Sequence, residues 1–165
     1  MERDALSAIH LAAGIAARAH AGQARKDGIT PYIVHPARVA TLAARFGGDH
    51  VAIVSAWLHD VFEDCAPGAC AAARKEIGAL PLPEGEARAV MAIVEALTKD
   101  PSLPKEVQIP DSLDRILAAP PQAGPLLVQK MRWMLATWPG GAMRRLVVVS
   151  PKMTVPLALG APCQI

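Results

Sequence analysis

The chain has 165 residues, of which 52% are hydrophobic and 19% charged, enough to bury one core and too apolar for a disordered segment or a coiled coil. Its net charge of +2 joins two unlike stretches: Met1 to Asp114 holds 11 Lys and Arg against 15 Asp and Glu, whereas Arg115 to Ile165 holds 6 Lys and Arg and no acidic residue. No run approaches 18 uninterrupted apolar residues, and Met-Glu-Arg-Asp lacks the basic start of a signal peptide, so neither a membrane span nor a secretory leader is expected. Three cysteines, at 65, 70 and 163, show no Cys-x-x-Cys spacing, which points to a reducing, cytoplasmic compartment. The basic charges of the tail are spread among apolar residues, so no nucleic-acid partner is expected.

In chain order, Leu6, Ile9, His10, Ala13, Ala16, Ala17 and His20 keep the i, i+3, i+4 rhythm of a first helix with Asp4 near its start. Gly22 to Pro36 contains Gly28 and Pro31 and reads as a loop or an extended connection. A second helix is expected from Pro36 to about Gly47-Gly48, since proline is tolerated in a first turn. Asp49 caps a third, from His50 to Glu63. A weaker helix covers Ala69 to Ile77, and a strong one Glu84 to Thr98. Asp111 or Ser112 caps a short one ending at Ala118. The class is all-α. Beyond Ala119 the pattern degrades: Leu126 to Trp138 has helical composition, and Leu146 to Val149 has that of a strand.

The chemistry lies in His59-Asp60-Val61-Phe62-Glu63-Asp64. On a continuous helix, Glu63 stands four residues after His59 and three after Asp60, so one face gathers them. One imidazole and three carboxylates in two turns are costly to bury without a positive partner, and acidic residues at a helix C-terminus oppose its dipole. A divalent cation answers both difficulties; a solvated acidic helix end is the structural alternative. Mixed imidazole and carboxylate ligands suit Mn²⁺, Fe²⁺ or Zn²⁺ without choosing among them. His20 is expected to pack or cap the first helix, His10 and His50 to be structural, and Tyr32 either to line a pocket or to join the core.

Three blocks in order resemble the HD-domain metal-dependent phosphohydrolases. They are Ala19-His20-Ala21-Gly22-Gln23-Ala24-Arg25-Lys26-Asp27-Gly28 through Tyr32-Ile33-Val34-His35-Pro36, then His59 to Asp64, then Ala96 to Lys105. Within that family they are similar to the guanosine tetraphosphate hydrolases of the RelA/SpoT type and their small single-domain relatives, over roughly residues 5 to 118. The resemblance implies an HD-domain helical bundle that removes the 3′-pyrophosphate from guanosine tetra- or pentaphosphate. It implies one Mn²⁺ held by His35, His59 and Asp60, and an attacking water positioned or deprotonated by Glu63 and Asp64. It also implies that Arg25 stacks on the base while Lys26 faces a phosphate.

The resemblance further implies a fourth metal ligand, the Asp of a Lys-x-Ala-Asp-x-x-x-Asn helix. At that place the chain reads Leu127-Val128-Gln129-Lys130-Met131-Arg132-Trp133-Met134, with no acid after Asp114. Family resemblance, acidic residues and amphipathic rhythm lapse together near Gln122 to Pro125, the pattern of a tail read in a shifted frame. The expected organisation is a hydrolase-like core, 1–119, and an irregular, divergent tail, 120–165, with activity impaired by the missing ligand. An HD phosphohydrolase for another nucleotide, or a non-catalytic HD-domain protein, remains open at this point.

Overall fold

Small side chains set how closely the helices approach. The computed structural model describes residues 2–124 and 126, and its elements begin with α1 (Glu2–Ala19), α2 (Val34–Arg45) and α3 (His50–Leu58). These three meet through buried Ala8, Ala12, Ala40, Ala43, Ala52 and Ala56. α3 is central: Val51, Ala52, Val54, Ser55, Ala56 and Leu58 are all buried, as a helix that is apolar nearly all round must be. Its one buried polar side chain is satisfied locally, Ser55 Oγ donating to the Val51 carbonyl at 2.8 Å.

After α3 come α4 (Val61–Asp64), α5 (Pro67–Gly78), α6 (Glu84–Leu97) and α7 (Lys105–Ala118). α6 covers another side of α3, α7 packs on α6, and α5 lies against α1 and α4. A 3-10 turn at Pro121–Ala123 touches α3, and Ala123 and Leu126 are buried in the same core. The described residues contain no strand, only an isolated antiparallel bridge between Ala24 and Pro31, so the fold is the expected all-α bundle. None of the described helices is long and apolar enough to cross a membrane.

Three boundaries differ from the sequence reading. α2 starts at Val34, so His35 lies in its first turn rather than ahead of it. The helix expected from His50 to Glu63 is broken after Leu58. There the Ala56 carbonyl, which a continuing helix would offer to residue 60, takes a hydrogen bond from His59 Nδ1 at 2.7 Å, and the chain restarts at Asp60. The restart also lifts the acidic residues off the negative end of α3. α7 begins six residues before Asp111 and runs through Pro110, although proline costs a helical hydrogen bond. Tertiary anchors hold it. Ser112 caps nothing and is buried, donating to the Ala96 carbonyl at 2.8 Å, while Arg115 donates to the Thr98 carbonyl at 2.8 Å. The helix expected over 126–138, apart from Leu126, and the strand at 146–149 lie outside the described residues, as do Arg132 and Trp133.

Candidate metal centre

The loop between α1 and α2 is locked by short-range chemistry. Asp27 accepts from the Ile29 and Thr30 amides, each at 2.9 Å, and from the Thr30 hydroxyl at 2.6 Å; these bonds hold its carboxyl down to about 2. Gly28 turns the chain at φ +72°, a conformation that strains any other residue. Two backbone bonds, Arg25 N to Thr30 O at 2.8 Å and Tyr32 N to Gln23 O at 2.9 Å, zip the arms together. This small ladder delivers Tyr32 and His35 to the open end of α3.

There the His35 Nε2, His59 Nε2 and Asp60 carboxylate meet. His59 Nε2 stands 3.0 Å from Asp60 Oδ1 and 3.3 Å from His35 Nε2, and His35 Nε2 stands 3.3 Å from Asp60 Oδ2. Nδ1 of His59 donates to a carbonyl, so Nε2 is left to face the other two groups, as a donor to Asp60 when it carries a proton and as a lone pair when the ring is neutral. Burial pushes the His35 imidazole down to about 4, so that ring is neutral at pH 7. Asp60 is ionised: burial alone would raise its carboxyl, but the His59 and His35 rings and the Tyr32 hydroxyl hold it well below the usual carboxylate range.

With both rings neutral, these nitrogens and the carboxylate are electron-rich atoms turned toward one point, an arrangement favourable around a metal ion. The three residues offer ligand atoms within 4.8 Å of one another and fit a divalent cation. Among the described residues the donor set is two imidazoles and a carboxylate, a combination that metal sites of the catalytic type use.

The two carboxylates that follow part company. Asp64 accepts a short hydrogen bond from the Tyr32 hydroxyl, which also lies 2.9 Å from Asp60 Oδ2. Glu63 turns the other way and is ion-paired with the Lys99 ammonium, while its second oxygen accepts from the Lys99 amide at 3.2 Å. Asp64 therefore stays beside Asp60, whereas Glu63 does not gather with His59 and Asp60 as a continuous helix would require. No sequence rhythm marks Lys99, which arrives from beyond α6.

Arg25 lies near the centre, its guanidinium 5.2 Å from the centroid of the Tyr32 ring. With Thr30, His35 and Arg38 it lines a shallow concavity beside the centre. Lys26 is exposed on the turn and does not line that concavity. His20 packs rather than caps: it is 2% exposed and stacks on Tyr32 with ring centroids 4.6 Å apart, while Nδ1 meets Gln23 Oε1 at 2.8 Å. His50 pairs with Glu86 at 2.8 Å, far along α3 from the centre.

An all-α bundle that carries a His-Asp pair on the end of one helix to a histidine on its neighbour is a metal-binding domain of the HD kind. The chain belongs to the HD domain family, whose pattern it matches over residues 12–138. Among curated proteins, a 50-residue stretch is 52% identical to the guanosine-3′,5′-bis(diphosphate) 3′-pyrophosphohydrolase of Haemophilus influenzae, covering 30% of this chain and 7% of that one. A 68-residue stretch is 41% identical to the GTP pyrophosphokinase of Streptomyces coelicolor, covering 41% and 8%. A third, of 59 residues, is 44% identical to the bifunctional (p)ppGpp synthase/hydrolase RelA of Mycobacterium tuberculosis, covering 36% and 8%. The matched stretches span only 7 to 8% of the length of these relatives.

Proposed function

We propose that this chain is a metal-dependent phosphohydrolase acting on a nucleotide, and that its substrate is guanosine tetra- or pentaphosphate, from which it removes the 3′-pyrophosphate. The observation that carries the reading is the convergence of His35, His59 and Asp60 on one point beside Asp64 and Arg25. The relatives named as 3′-pyrophosphohydrolases support the choice of substrate. The site of action is the cytoplasm, and no nucleic acid or membrane takes part.

His35, His59 and Asp60 hold the cation; their donor set suits Mn²⁺, Fe²⁺ or Zn²⁺ alike, and Mn²⁺ is chosen on the family resemblance. When bound, it supplies Lewis acidity toward a phosphoryl oxygen and lowers the pKa of water. The chain's own groups do the rest. Asp64, beside Asp60, orients the attacking water and receives its proton, and Glu63 joins it when its pair with Lys99 opens. Arg25 offers a planar face to the base and Lys26 a mobile ammonium to a phosphate. The division into a core, 1–119, and a divergent tail, 120–165, belongs to the same reading.

Absence of any acid after Asp114 favours a second reading, an HD-domain protein that binds its ligand with impaired or no turnover. Pyrophosphate release from guanosine tetraphosphate with added Mn²⁺, beside a panel of other nucleotides and with His59→Ala as control, separates the readings. Release that His59→Ala abolishes supports the hydrolase. A faster non-guanosine substrate displaces the nucleotide assignment, and release indifferent to His59→Ala removes the metal mechanism.

A further inference from the structure

Tyr32 is the most highly connected side chain at the centre and has no role in the reading above. Its ring carries His20 stacked at 4.6 Å with an interplanar angle of 20°, the Arg25 guanidinium 5.2 Å from its centroid, and His35 edge-on at 6.1 Å. Its hydroxyl reaches Asp60 and Asp64 together. A phenol keeps its proton at neutral pH, so the hydroxyl is a donor to these carboxylates.

We propose that Tyr32 is a positioning residue, which holds the metal ligand Asp60 and the carboxylate Asp64 on one hydroxyl and ties both to the loop that carries Arg25. This inference rests on the proposed metal centre and adds to it. The physical argument is one of stoichiometry. A phenol has one proton, and two carboxylate oxygens stand within hydrogen-bonding reach of it, so it satisfies one of them at a time. The Asp60 carboxylate has lone pairs enough to accept from the phenol and face a cation together, so the hydroxyl orients the ligand and, when it turns, Asp64. A ligand held by an outer hydrogen bond keeps its orientation before the cation arrives, which is how outer partners raise metal affinity. The rigid ladder from Gln23 to Tyr32 and the stacked His20 keep the hydroxyl in place.

The test reads metal affinity without substrate. Mn²⁺ titration of the full chain is compared with Tyr32→Phe, which keeps the ring and its stacking and removes only the hydroxyl. The affinity is expected to fall by about 10- to 100-fold, with little change in the melting of the metal-free chain. Affinity within twofold of the parent overturns the proposal, as does a loss of metal-free stability with affinity intact, the signature of a packing role. Tyr32 is the only tyrosine in the sequence, so a fluorinated tyrosine reports on it alone without any substitution. One equivalent of Mn²⁺ is expected to broaden that fluorine resonance beyond detection, and a line left sharp at saturating Mn²⁺ overturns the proposal. A parent chain that takes up no Mn²⁺ overturns the metal centre itself, an outcome distinct from failure of Tyr32 alone.

Discussion

The two ends of α3 carry the same residue types in mirrored order, Asp49-His50 at the start and His59-Asp60 just past the end. At the start, Asp49 accepts from the Ala52 amide at 2.9 Å, satisfying one of the helix's free donors, and His50 reaches sideways to Glu86. Both side chains there are engaged by protein groups. At the far end, the Ala56 carbonyl takes His59 Nδ1, and what remains, Nε2 and a carboxylate, faces a second neutral imidazole. The lesson is that a His-Asp pair by itself carries no chemistry. Whether it is a cap or a metal site depends on which helix end it occupies and what the rest of the chain brings to it.

Substitutions at the two ends are expected to break this contrast in measurable ways. The largest effect belongs to His59→Ala, which removes a ligand. Mn²⁺ content of the purified chain should collapse and pyrophosphate release should drop by more than about 100-fold, beyond the range seen for outer-sphere partners. Next comes the pH dependence of the metal-free chain. His35 titrates near 4 when folded against an ordinary value of 6.5, so between these pH values the unfolded chain binds more protons. Stability therefore holds above about pH 6.5 and declines as pH falls toward 4. Melting temperatures across that window should show the decline, and His35→Asn should flatten it.

At the opposite end, Asp49→Ala is expected to cost about 1 kcal/mol through loss of the cap. Thermal melting reads that loss, and Mn²⁺ uptake should not change. The smallest effect is that of Glu86→Gln, which breaks a half-exposed pair with His50 and should cost less than about 1 kcal/mol in denaturant titrations. A drop in metal affinity with either of these last two variants would mean that the two ends are coupled and the contrast is false.

Much of the fold was legible because it is written in short-range pattern. The apolar rhythm of Ala87, Val90, Met91, Val94 and Leu97 places α6 where it lies, and Asp49 caps α3 as its position requires. His35, His59 and Asp60 were legible as a set only through the family resemblance, since 24 residues separate the two histidines. The errors share one cause. Periodicity assumes that a helix continues, so it put Glu63 on the face of His59 and Asp60, whereas His59's own side chain takes the carbonyl that continuation needs. At α7 the polar Asp111 and Ser112 look like caps in the sequence, whereas the long-range bonds of Ser112 and Arg115 that support a helix running through Pro110 leave no local mark.

By itself, then, the sequence determined the helical class, a break in helix across Gly28 and Pro31 and the acidic run from His59 to Asp64, all consequences of pattern within a few residues. Only the tertiary structure decided which carboxylate serves which partner: Glu63 to Lys99, Asp64 to Tyr32. Adjacent residues on a broken helix diverge, and their partners come from segments more than 30 residues away, a convergence that no local rule encodes.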